Sequence, residues 1–86
     1  MKYLKVEMGL ERPGDVMAPF WEAEKSGEFG QADAVAYTER TGETVVPYVS
    51  EHLWAWLQRR FGRSIISVGA VESVPQDAKW IHRPRV

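Results

Sequence analysis

Alternating apolar and polar residues open the chain and predict a strand. Leu4, Val6 and Met8 share one side of residues 2–8, and a period of two is that of a half-buried strand. Glycine and proline in residues 9–14 interrupt the pattern and predict a turn. The first element is therefore a strand that ends near residue 8.

Residues 15–25 change to a helical period. One apolar stripe contains Val16, Met17, Phe20, Trp21 and Ala23. Pro19 leaves two starting points open for this helix. Either it lies in the first turn after an Asp15 cap, or it is itself the first residue of a shorter helix.

A hairpin is predicted after a glycine-containing loop at 26–31. β-branched and aromatic residues indicate strands near 33–39 and 43–49, with a turn at 40–42 between them, a pattern typical of a hairpin. Pro47 cannot donate to a strand ladder, so we expect it at a sheet edge or at the end of its strand.

The clearest helix lies within residues 50–64. Ser50 is the predicted N-cap and Gly62 the predicted C′ residue. One arc of this helix is apolar and is expected to cover a sheet. It contains Leu53, Trp54, Leu57 and Phe61.

A β-branched, alternating stretch at 63–74 predicts the last strand, and residues 75–86 predict a basic C-terminal tail that starts with a turn. The order strand, helix, strand, strand, helix, strand favours a four-stranded antiparallel sheet with two helices on one face, the βαββαβ arrangement of ferredoxin-like folds. We expect residues 1–86 to form a single α+β domain, because two cores would each be too small to fold.

The composition limits the kinds of site that the chain can form and the compartment in which we expect it. Cysteine is absent, which excludes disulfides, thiolate metal ligands and cysteine nucleophiles. No apolar run is long enough to indicate a signal peptide or a membrane span, so we expect a cytoplasmic protein. The net charge of -1 combines an acidic first half, with a charge of -4 over residues 1–43, and a basic second half, with +3 over residues 44–86.

Catalytic and cofactor signatures are missing. The histidines, His52 and His82, lie far apart in the sequence and do not predict a triad or a metal pair. The chain lacks the glycine triplet of a dinucleotide site and the lysine ending of a P-loop. We therefore expect no enzymatic activity, no metal and no cofactor.

Trp56 falls outside the apolar arc of the second helix, beside His52, Arg59 and Arg60. Two interpretations stay open. Either Trp56 covers the rim of the core with an arginine over its ring in a cation-π contact, or it anchors a partner surface, since interfaces are enriched in Trp and Arg.

A protein partner is the favoured hypothesis, with the chain as a regulator, inhibitor or accessory subunit of a larger machine, for example an inhibitor encoded by a phage. Acidic residues would oppose a basic groove on a nucleic-acid-handling partner, and these are Glu22, Glu24, Glu28 and Asp33. Aromatic residues exceed what the predicted core can bury, and those expected to be exposed are Trp21, Phe29, Trp56 and Trp80. A homodimer is kept as an alternative arrangement.

Weak nucleic-acid binding through the basic second half is a third hypothesis. Its candidate contacts are Arg59, Arg60, Arg63, Lys79, Trp80, Arg83 and Arg85. Because the net charge is -1, we do not expect nucleic acid to be the principal ligand.

The stretch KVEMGLERPGDV, with Glu11, Arg12, Pro13 and Gly14 at a predicted helix start, resembles the opening of ACT domains. The resemblance implies a regulatory βαββαβ module that binds a small molecule such as an amino acid across a dimer interface. It places the ligand contact at the backbone around Gly14, within residues Arg12, Pro13, Gly14 and Asp15. This ligand-sensing module is the alternative to protein binding.

Overall fold

A computed structural model describes residues 3–9, 13–40 and 44–84 of the chain. In chain order its elements are β1 (Tyr3–Met8), α1 (Pro13–Ser26), β2 (Val35–Arg40), β3 (Thr44–Ser50), α2 (Glu51–Phe61), a 3-10 turn (Gly62–Ser64), β4 (Ile65–Val71) and β5 (Lys79–His82).

The strands form one five-stranded antiparallel sheet in the order β4-β1-β3-β2-β5. The fold is α+β, but the four-stranded βαββαβ fold expected from the sequence is wrong. Lys79–His82, which the sequence placed in a basic tail, pairs with Val35–Tyr37 of β2 as a fifth strand. β4 is therefore not the last strand. A stretch of four residues is too short to show the alternation that distinguishes a strand from an irregular tail.

Both helices lie on one face of the sheet and enclose the core. Alternate residues of each strand point toward the helices, as a period of two requires. The buried core residues are Val6, Met8, Val16, Met17, Phe20, Val35, Val45, Val49, Leu53, Leu57 and Phe61.

Aromatic rings join the two helices. Phe20 of α1 stacks on Phe61 of α2 with ring centroids 5.5 Å apart. The same ring lies 4.9 Å from the ring of Trp56. These separations are favourable for aromatic pairs, so the Phe20 ring packs α1 against α2.

The segment between β4 and β5 has to cross the sheet, because these strands lie at opposite edges. Four strand spacings, about 19 Å, separate the edges, and residues 72–78 are long enough to span them. Val46 and Tyr48 point away from the helices and are nevertheless buried. The rings of Tyr3 and Trp80 meet on this same face. We infer that these rings and the crossing segment cover it.

Pro47 lies inside β3, the middle strand of the sheet, and is buried. The expectation of an edge or strand-end position is therefore wrong. The pairing of β3 with β1 runs only from Ser50 to Tyr48 and ends where Pro47 begins, whereas the pairing with β2 continues to Thr44. A residue without an N–H is tolerated where one of the two ladders has stopped.

Helix α1 begins at Pro13, two residues before the predicted start, and continues through Pro19. Neither starting point proposed for Pro19 is correct. Proline is well suited to the first helical position, because its missing N–H has no partner there in any helix. Pro19 instead removes one interior helical hydrogen bond. Gly27, with φ of 74°, follows the helix end in the left-handed conformation that glycine adopts readily.

Ser50 is the N-cap residue of α2, as predicted, but its side chain makes no capping hydrogen bond. Its Oγ instead accepts a hydrogen bond from the Ala34 N–H at 3.2 Å. Gly62 is the C-cap residue in a right-handed conformation, with φ -49° and ψ -39°, rather than a left-handed C′ residue. The chain therefore continues from α2 directly into the 3-10 turn.

Candidate functional site

A shallow concavity lies between α1 and α2 on the surface. Its first part, of about 200 Å³, is lined by Pro19, Glu22, Ala23, Ser26, Glu28 and Arg60. An adjoining part of about 470 Å³ is lined by Glu28, Trp56, Arg59 and Arg60. Since Glu28 and Arg60 line both parts, the two parts form one continuous surface. We call it the inter-helix concavity and define it by Glu22, Glu28, Trp56, Arg59 and Arg60.

Trp56 forms the aromatic wall of the concavity. Its ring packs against Phe20 and lies edge to face with Phe29 at 6.0 Å. The guanidinium carbon of Arg60 lies 5.3 Å from the ring centroid, within the range of a cation-π contact. Of the two interpretations of Trp56, the structure shows the geometry of the first, a ring at the core rim beneath an arginine.

Four exposed charges surround that wall. Glu22, Glu28, Arg59 and Arg60 are all exposed. Among the described residues, the ion pairs are Lys79 with Glu39 and His82 with Glu24. The four charges of the concavity therefore make no ion pair within that part of the chain, and they are accessible to an external group.

The other candidate polar residues have different places. The carboxylate of Glu24 contacts the ring of His82 on the side of α1 that faces away from the concavity. Asp33 accepts a hydrogen bond from the Gly30 N–H at 2.8 Å and closes a local turn. His52 is exposed in the first turn of α2, one turn before Trp56. The acidic set proposed from the sequence is thus divided.

Trp80 does not belong to the same surface. It lies on β5, on the face of the sheet opposite the helices, with its ring edge to face with Tyr3 at 6.1 Å. The guanidinium carbon of Arg83 lies 5.5 Å from the Trp80 ring. The sequence placed Trp56 and Trp80 in one binding set, and the sheet separates them.

The expected surplus of exposed aromatic residues is smaller than predicted. Trp21 is 40% exposed, and its ring lies edge to face with Tyr37 at 6.3 Å. Phe29, Trp56 and Trp80 are half-buried, because each packs against a loop or strand that the helical and strand periods do not reveal. Trp54, predicted to be in the core, is also only half-buried.

The ligand contact implied by the ACT resemblance lies partly outside the described residues, and its described backbone forms the first turn of α1. Arg12 is not among them, and for Pro13, Gly14 and Asp15 only the backbone of α1 is described.

Two further concavities are lined by charged or titratable side chains. Arg59, Arg60 and Arg63 surround a basic concavity of about 660 Å³ at the end of α2. His82, Glu24 and Phe29 line another of about 240 Å³ beside the loop after α1. The contact between His82 and Glu24 joins positions 58 residues apart, and local sequence patterns carry no signal for it. Within 3–9, 13–40 and 44–84, no three His, Asp or Glu side chains are placed to hold a metal ion.

Comparison of the chain with protein-family models, curated proteins and solved structures returned no match. No helix within the described ranges has the length and apolar character needed to span a membrane.

Proposed function

We propose that this protein is a small non-enzymatic binding module that contacts another protein through the inter-helix concavity, as a regulator, inhibitor or accessory subunit. The observation that carries the proposal is the arrangement of Glu22 and Glu28 opposite Arg59 and Arg60, beside the half-buried ring of Trp56. These charges make no ion pair within the described part of the chain.

The chemistry of this surface supports recognition of a protein. Protein interfaces are enriched in Trp and Arg, and a few such residues carry most of the binding energy. Trp56 is held by Phe20 and Phe29, so little side-chain entropy remains to be lost when a partner covers it.

The mixed charge of the concavity supports a partner with both signs of charge. Glu22 and Glu28 line the α1 side, while Arg59 and Arg60 line the α2 side. A basic group on a partner would lie over the first pair and an acidic group over the second. Such complementarity fixes the orientation of binding and makes the association rate depend on salt.

Binding is preferred to catalysis because the hydroxyl in the concavity already donates a hydrogen bond within its own helix. Ser26 lines the concavity, but its Oγ donates a hydrogen bond to the Ala23 carbonyl at 3.0 Å. A serine nucleophile would need a base within hydrogen-bond reach of that oxygen, and among the described residues the group that accepts its hydrogen bond is the Ala23 carbonyl, which is not a base.

The experiment is an affinity capture from a lysate of the organism that encodes the chain, at low and high salt, with wild type and three variants. Arg59→Glu and Glu22→Lys each reverse one exposed charge of the concavity, and Trp56→Ala removes its aromatic wall. We expect wild type to retain a defined protein at low salt, and each variant to lose most of it.

Asp77→Lys is the matched control, because it reverses an exposed charge in the segment that crosses the sheet. It should retain the protein as wild type does. Circular dichroism checks that Trp56→Ala is folded, and the two charge reversals test the surface without removing packing. Equal retention by all variants, or no retained protein with wild type, would contradict the proposal.

A further inference from the structure

The two edges of the sheet differ in how they are protected. β5 is a four-residue edge strand that contains Lys79 and His82. β4 is a seven-residue edge strand, IISVGAV, with no charged residue and no proline. Natural proteins protect edge strands with charge, proline, a β-bulge, short length or a covering element. β4 has neither charge nor proline and is not short, and its one irregularity lies near its start, at Ile66.

The helices also leave most of β4 uncovered, although Ile65 at its start packs against the core. α1 packs over β3 and β5, while α2 packs over β3 and β1. Val68 pairs with Val6 and shares its helix-side face, yet Val68 is 46% exposed. Ile66, at the bulge beside Met8, is 70% exposed. An apolar stripe therefore lies along an edge whose backbone groups have a strand on one side only.

The charges at the two ends of β4 are opposite. Arg63 precedes the strand and Glu72 follows it, and both are exposed. When two copies of a strand pair antiparallel about a twofold axis, the start of one lies beside the end of the other. Such pairing of β4 brings Arg63 of each copy beside Glu72 of the other, so the ends of this edge are complementary to themselves.

We propose that two copies of the chain dimerise by antiparallel pairing of their β4 strands, which joins their sheets into one. In a register centred on Val68, the two Val68 side chains face each other and Ile66 faces Ala70 of the other copy. The stripe that each helix layer leaves uncovered is then covered by the stripe of the second copy. This inference goes beyond the proposed function, and none of its key residues belongs to the inter-helix concavity.

The first experiment is sedimentation equilibrium from about 1 to about 300 µM, a range that detects micromolar association. We expect wild type to be a dimer at the upper end and to dissociate on dilution. Val68→Lys places a charge in the paired stripe and should raise the dissociation constant at least about tenfold. Gln76→Lys adds the same charge at an exposed position in the crossing segment and should leave the dimer unchanged.

Ile66→Lys repeats the test at a position that is 70% exposed, where the monomer loses little packing. The measurement therefore does not depend on whether Val68→Lys folds. A wild type that stays monomeric over the whole range would overturn the proposal, including the case in which β4 binds a strand of a different protein. A dimer that survives both lysine variants would overturn it as well.

The second experiment reverses the charges at the strand ends. Arg63→Glu and Glu72→Arg should each weaken the dimer several-fold, because each places like charges together. The double variant should recover the wild-type affinity. The two residues lie at opposite ends of β4 within one copy, and the seven residues of β4 alone extend about 20 Å, beyond the screening length of about 10 Å in 0.1 M salt. Recovery can therefore arise only between copies, and additive losses would show that the β4 edges do not pair.

Discussion

The Nδ1 atom of His82 lies 2.5 Å from a carboxylate oxygen of Glu24, so the end of β5 is tied to the last turns of α1. The other ring nitrogen, Nε2, lies 3.2 Å from the Gly30 carbonyl, and Phe29 packs edge to face against the ring at 5.3 Å. The fifth strand is thus held to the helix layer by a polar contact as well as by its ladder with β2.

Glu24→Gln should lower the free energy of unfolding by about 0.5 kcal/mol, because it removes the charged partner of His82 from a partly exposed pair. Glu22→Gln is the matched control, since Glu22 is exposed on the same helix and makes no ion pair with a described residue. Urea denaturation followed by circular dichroism measures both. Equal losses in the two variants would show that the contact adds nothing to stability.

Phe20→Ala should lower the free energy of unfolding by about 3–5 kcal/mol, because it leaves a cavity between Phe61 and Trp56. This is a large part of the 5–15 kcal/mol that is usual for a domain. Trp21→Ala, at the next position, should cost clearly less than Phe20→Ala, since Trp21 is 40% exposed. Urea denaturation compares them, and a larger loss from Trp21→Ala would contradict the packing of α1.

Thr38→Val should raise the free energy of unfolding by about 1 kcal/mol. Thr38 is 7% exposed, and its Oγ1 has no hydrogen-bond partner among the described residues. A buried hydroxyl without a partner is destabilising, and valine has the same shape without it. Thermal and urea denaturation measure the gain, and a loss would indicate that this hydroxyl does have a partner.

Ser50→Ala should have the opposite sign and cost about 1–3 kcal/mol, because it leaves the buried Ala34 N–H without an acceptor. That N–H donates to the Ser50 Oγ at 3.2 Å, and the Ser50 N–H donates to the Ala34 carbonyl at 3.0 Å. The second bond survives the substitution, so the loss reports on the hydroxyl alone. No change in the urea midpoint would contradict this use of the side chain.

Gly27→Ala should lower the free energy of unfolding by about 1–2 kcal/mol, since its φ of 74° is unfavourable for a residue with a Cβ. Gly62→Ala should raise it by about 0.5 kcal/mol, because Gly62 has helical dihedral angles and alanine restricts the unfolded chain. A Cβ at either position has no described atom within 4 Å. Opposite shifts in melting temperature would therefore isolate the effect of φ.

The helix α2 shows how far sequence reasoning extended. Its predicted apolar arc contains Leu53, Leu57 and Phe61, and all three are buried. Trp54 belongs to the same arc and is only half-buried, because the period gives a direction and does not tell how far the sheet extends beneath the helix.

The inter-helix concavity was only partly accessible from the sequence. Trp56, Arg59 and Arg60 are neighbours on one helix, and helical spacing predicts that they lie together. Glu22 and Glu28 come from α1 and the loop after it. Their place opposite Arg60 depends on how α1 packs against α2, which Phe20 and Phe61 decide.

The sequence by itself determined the α+β class and the approximate positions of two helices and four strands, because each depends on residues close together along the chain. Only the tertiary structure decided that Lys79–His82 is a fifth strand, that Pro47 lies in the middle strand and that β4 is an uncovered edge. Each of these depends on pairing between residues that are distant in the chain. Such pairings are selected by which surfaces remain to be covered once the core has formed, and a local pattern does not contain that information.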